Sequence, residues 1–126
     1  MNTDGPLTFT GLIKFLQYIK GPDHWHYVGE AGEPIFLNSW VAFNGDGVKF
    51  LKDASGVVHI QGRAKSGNPS ADIFTLPKGY GPEFDLHFAT ETSAAIGEIH
   101  VHPDGDIHHN AGATSDFSLC ISFYVG

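Results

Sequence analysis

The stretch WVAFNGDGVKFLKDASGVVHIQGRAKSGNPSADIFTLPKGYGP, residues 40–82, decides the fold. Its centre reads as a hairpin. Val48-Lys49-Phe50-Leu51-Lys52 is short and rich in apolar residues. Asp53-Ala54-Ser55-Gly56 follows with turn chemistry, a side-chain acceptor and a residue free to take positive φ. The return run, residues 57–64, alternates. Val58, Ile60 and Gly62 fall on one face and Val57, His59, Gln61 and Arg63 on the other, the period of a half-buried strand. Ile73-Phe74-Thr75-Leu76 makes a third short strand, closed by Pro77 and the cluster Gly79-Tyr80-Gly81-Pro82. The expectation is a three-stranded β-meander.

Upstream, Phe9, Leu12, Leu16 and Ile19 are spaced three, four and three, which predicts a short helix that Gly21-Pro22 stops. About three turns of helix are marginal alone, so this segment must pack on its own domain or serve as a stalk or anchor. Downstream, Phe84-Asp85-Leu86-His87-Phe88-Ala89 alternates with Phe84, Leu86 and Phe88 expected inward. Residues 96–101 and 107–109 form a hairpin around Pro103-Asp104-Gly105, and residues 117–125 close the chain as a last strand. The fold class expected is all-β, an antiparallel β-sandwich or jelly roll of seven to eight short strands with a short N-terminal helix. The domain division is an arm and helix over 1–22 and a sandwich head over 23–126.

Composition agrees with many turns and large buried rings: the 126 residues include 16 Gly, 7 Pro, 10 Phe, 4 Tyr and 2 Trp, enough for one domain. Net charge is −7, and no basic cluster offsets it, which argues against nucleic-acid binding. No basic n-region follows Met1 and no apolar run approaches spanning length, so the expectation is synthesis in a cytoplasm without a signal peptide or membrane insertion. The single cysteine, Cys120, lies in the apolar run FSLCISF and is expected to be buried. Trp25 and Trp40 read as packing residues, with sugar stacking as the functional alternative.

The concentrated candidate for chemistry is GEIHVHPDGDIHH, residues 97–109. His100 and His102 share one face of a strand, so the two imidazoles can chelate one ion such as zinc, iron, nickel or copper. Two ligands are too few, and a complete site requires symmetry mates or His108 reaching across the hairpin. The competing reading is a solvated polar face. A cupin-like metal-dependent enzyme is a remote third, lacking the downstream histidine that such a ligand set needs. Asp104 and Asp106 read as turn formers rather than an acid–base pair. No G-x-S-x-G elbow and no phosphate loop opens a helix, so no catalytic residue is assigned and an enzyme is not expected.

A run of motifs carries a resemblance. Lys52-Asp53, Gly56, Val58, Gly62, Ile73 to Pro77, Gly79-Tyr80, Pro82, Asp104-Gly105, Ile107, Ser118-Leu119, Ile121 and Phe123 resemble a recurrent module of tailed-bacteriophage virion appendages. The likeness covers roughly residues 38–125, and Gly81 stands where the pattern usually has arginine. It implies a non-enzymatic virion protein, a homotrimeric tail-fibre or receptor-binding head whose loops contact host cell-surface saccharide. The alternative it implies is a capsid decoration or head-fibre protein held to other virion proteins by its N-terminal segment. Because some trimeric phage fibres hold iron through His-x-His pairs, the resemblance also implies iron or zinc at His100 and His102 on a trimer axis. No other cofactor is expected.

Overall fold

The computed structural model describes residues 23–45 and 47–126. The helix expected over 9–19, with the rest of the arm, lies outside them. Among the described residues the chain is all β, eleven short strands in three antiparallel sheets and no helix.

The first sheet has the order β1 (His26–Tyr27), β3 (Lys49–Lys52), β4 (Val57–Gln61), β11 (Ile121–Tyr124). The second runs β10 (Phe117–Ser118), β5 (Arg63–Lys65), β2 (Val41–Ala42), and the third β6 (Asp72–Thr75), β9 (Asp106–Ala111), β8 (Ile96–Val101), β7 (Leu86–Glu91). The β3–β4 hairpin is closed by the turn that its residues predict. Asp53 Oδ1 accepts from the amides of Ser55 (2.9 Å) and Val57 (3.1 Å), and Gly56 takes φ +89°. Val58 and Ile60 are buried, as the alternation requires.

The meander stops at two strands. After Gln61 the chain bends into the second sheet, and the strand at 72–75 pairs with β9 instead of returning beside β4. Gly62 makes the bend. Its φ is +119°, and a Cβ there would come within 2.4 Å of the Gly47 carbonyl oxygen. The same bend divides the closing strand, because β10 pairs with β5 and β11 with β4, while the Leu119 amide donates to the Gly62 carbonyl (2.9 Å). Two long strands cut at one corner become four short ones, which accounts for part of the difference between the eleven strands and the seven or eight expected.

The third sheet holds the second legible hairpin. Gly105 takes φ +97° after Asp104, Asp104 Oδ1 accepts from the Asp106 amide (3.2 Å), and His102 and Asp106 close the loop (3.0 Å). The first and third sheets share a core through Phe50 on Phe74 (6.0 Å between ring centroids) and Phe88 on Phe123 (6.2 Å). Ile99, Val101 and Ile107 face this core, fully buried. Each such side chain contributes about 1.5–3 kcal/mol over an exposed one.

Two expectations about packing are corrected. Cys120 is exposed, because Phe117, Leu119, Ile121 and Phe123 take the inward positions of the run and leave the even numbers outside. Phe84 is also exposed, at 71%: β7 begins only at Leu86, so the two residues before it are outside the ladder that would have turned the ring inward. Leu86 and Phe88 do pack against the core.

Candidate functional site

The outer face of the third sheet is built from histidines and carboxylates. Strand alternation puts Ile99, Val101 and Ile107 inward and therefore Glu98, His100 and His108 outward. Register then aligns residues from four strands: Asp72 lies opposite His108, His108 opposite His100, and His100 opposite His87. One carboxylate and three imidazoles thus form a row straight across the sheet.

Each imidazole in and beside the row has its own contacts. The His87 and His100 rings stack, with centroids 3.7 Å apart and planes 9° from parallel. His100 Nε2 is hydrogen-bonded to Glu98 Oε1, and Asn110 Nδ2 donates to the same oxygen (2.8 Å). His108 Nδ1 donates to Asp72 (2.8 Å) and His102 Nδ1 donates to Asp85 (2.9 Å). The bond from His100 holds the Glu98 carboxyl below the usual carboxylate range, against the slight effect of desolvation. The bond to Asp85 and its charge lift the His102 imidazole above its ordinary value, with partial burial opposing. A shallow depression of about 260 Å³ adjoins the row, lined by His87, Ala89, Ile96, Gly97 and Glu98 among others.

His100 and His102 do lie on one face, but their rings stand 6.2 Å apart at 88°, each joined to a different carboxylate. A single chain offers them as two imidazole–carboxylate couples, and an axial site on this pair rests on symmetry mates. His108 reaches their neighbourhood from β9, 6.3 Å from His100 and 5.8 Å from His102 between centroids. Asp104 and Asp106 serve the hairpin, and Asp106 Oδ1 accepts from the Thr75 hydroxyl (2.6 Å). His109 points inward, 2% exposed. The Ser70 amide donates to its Nδ1 (3.0 Å), so Nε2 carries the proton and donates to the Gly112 carbonyl (2.8 Å). Packed against Trp40 and Phe117, it is a structural histidine.

Sequence reasoning missed His87, Asp72, Asp85 and Glu98. Glu98 was findable, two residues before His100 on the same strand face. His87 needed the pairing of β7 with β8, which no local pattern encodes.

A second polar cluster sits at the edge of the first sheet. His26 faces Asp23 through Nε2 (2.8 Å) and Glu33 through Nδ1 (2.8 Å), and the Tyr80 hydroxyl donates to Asp23. Both ring nitrogens meet carboxylates, an arrangement that suits the imidazolium. Burial lowers the His26 pKa, but the bonds to Glu33 and Asp23 outweigh it and the net shift is upward. Burial likewise raises Asp23, and the bonds from Tyr80 and His26 reverse it to a net depression. Desolvation and the neighbouring Asp23 push the Tyr80 phenol well up.

No family model and no curated protein matches the chain. Among the described residues no helix is long and apolar enough to cross a membrane.

Proposed function

We infer that this chain is a non-enzymatic bacteriophage virion protein, a trimeric β-sandwich head of the tail-fibre or receptor-binding type that contacts host cell-surface saccharide. The observation that carries the reading is where the motif residues sit. Asp53 and Gly56 make one hairpin turn, Asp104 and Gly105 the other, and Gly62 the corner between sheets. Ile73, Phe74, Leu76, Ile107, Leu119, Ile121 and Phe123 are buried. A pattern made of turns and core positions is what a shared fold preserves, so the likeness supports an appendage-type head while the loops remain free to vary with the ligand.

Exposed rings supply the means of contact. Phe84 is 71% and Tyr124 69% exposed, and aromatic faces pack well on the apolar faces of sugars. Trp40 is buried and belongs to the core, so the stacking role read for the tryptophans falls instead to these rings and to half-buried Trp25, over which the Lys49 ammonium lies at 4.5 Å.

The test is binding of the full chain to an array of bacterial surface polysaccharides. Binding to a subset, weakened at least tenfold in Phe84→Ala or Tyr124→Ala, is the expected result. Absence of any saccharide binding, together with co-purification on capsids that is lost on deleting residues 1–20, would replace the receptor-binding role with capsid decoration.

A further inference from the structure

We propose that a single chain binds one divalent transition ion of the zinc class through His87, His100 and Glu98. This goes beyond the virion reading and does not depend on it, because all three ligands come from adjacent strands of one sheet.

His87 and His100 are directly paired across β7 and β8, and Glu98 is two residues from His100 on the same face. One donor atom from each of the three lies within 4.8 Å of the other two. A tetrahedral ion with Zn–N bonds of about 2.0–2.1 Å holds two imidazole nitrogens about 3.3 Å apart. The two rings are stacked with centroids 3.7 Å apart, so their lone pairs lie in nearly parallel planes, and those planes must open widely, toward the tetrahedral angle, before both meet one ion. His87 is exposed and free to make that adjustment. Between His100 and Glu98 the ion takes the place of the proton they share.

The surroundings fit a ligand set of two imidazoles and one carboxylate. Asn110 donates to Glu98 (2.8 Å), the kind of outer hydrogen bond that orients a ligating carboxylate. The depression lined by His87, Gly97 and Glu98 leaves a coordination position open to solvent or to a ligand. Mixed imidazole and carboxylate donors favour zinc, nickel or copper over magnesium and calcium, which take all-oxygen sites. The other candidate, Asp23 with His24 and His26, is less suited: both nitrogens of His26 are committed to Asp23 and Glu33, and an ion there must break the Tyr80–Asp23–His26 network.

The test is calorimetric titration of the metal-stripped full chain with zinc and, separately, with magnesium. We expect one zinc per chain, no measurable magnesium binding, and a rise in melting temperature of about 10 °C at zinc 100-fold above its Kd. His87→Gln and His100→Gln should each weaken zinc at least tenfold, Glu98→Gln should weaken it measurably, and His24→Gln should leave it unchanged. Imidazole nitrogen resonances of His87 and His100 should shift together on zinc addition, a readout that a merely destabilised variant does not give. One zinc per three chains, or binding lost in His102→Gln while His87→Gln retains it, would overturn the proposal in favour of an axial site. Affinity equal in the native chain, His87→Gln and His100→Gln would overturn it altogether.

Discussion

Gly67 lies flat against the indole of Trp40, and a Cβ at that position would stand 1.9 Å from the ring. Its φ is not in the left-handed region, so the requirement for glycine comes from this close approach alone. Trp40 cannot give way, because it is 1% exposed and packed between His109 and Phe117. Gly67→Ala should therefore cost about 3 kcal/mol, at the upper end for overpacking. Chemical denaturation should show this as a lower midpoint at unchanged slope. At this scale the sequence speaks through parity. Alternation orients Val58, Ile60 and His100 correctly, and the same rule applied to Phe117, Leu119, Ile121 and Phe123 sends Cys120 outward. Hydrophobic neighbours on both sides of Cys120 obscured that, since in a strand the adjacent residues belong to the opposite face. His108 and His109 make the point most sharply, one on the polar face and the next in the core.

Between elements, the His26 network ties β1 to the loop carrying Glu33 and to Tyr80 beyond β6. The ring also stacks on Phe50 of β3 (5.1 Å), and His24 approaches it from the solvent side (4.1 Å). The His26 pKa is raised in the fold, so its contribution is complete below about pH 6.5 and is lost as pH rises through the folded value. Asp23 is depressed, so its contribution is present above about pH 3.8 and is lost as pH falls through its folded value. Between those limits the network is at full strength. His26→Gln should destabilise the chain by about 2 kcal/mol at pH 6, the scale of a hydrogen bond to a charged group, and by clearly less at pH 9. Thermal melts of the native chain and the variant at both values check this, and an equal deficit at both would refute it. Elements also mark where reading the sequence stops. Both hairpins were legible because turn chemistry is local: Asp53 to Gly56 in one, Asp104-Gly105 in the other. The partner of the strand at 72–75 was not, because β9 lies some thirty residues on and nothing near Phe74 names Ile107. His87 was missed for the same reason, since it meets His100 only through a pairing between strands.

For the whole molecule, an acidic chain of net charge −7 folds into three sheets with a polar histidine row on one outer face and large rings left exposed on others. The all-β class follows from glycine, proline and ring content with short alternating runs. The way three sheets share the chain depends on the Gly62 corner, which has a positive φ and where a Cβ would strike the Gly47 carbonyl across the β3–β4 hairpin. On the proposed receptor-binding reading, function at this scale rests on assembly. A head that acts as a trimer places its saccharide-contacting loops in threes, and the gain in avidity over one copy can reach about 10²–10⁴. The most direct measurement is the mass of the full chain by light scattering on size exclusion, with and without zinc. A trimeric head gives about 41 kDa, three times the 13.6 kDa chain, in both conditions, since the proposed ion sits within each chain. A mass near 13.6 kDa in both would contradict the trimeric head.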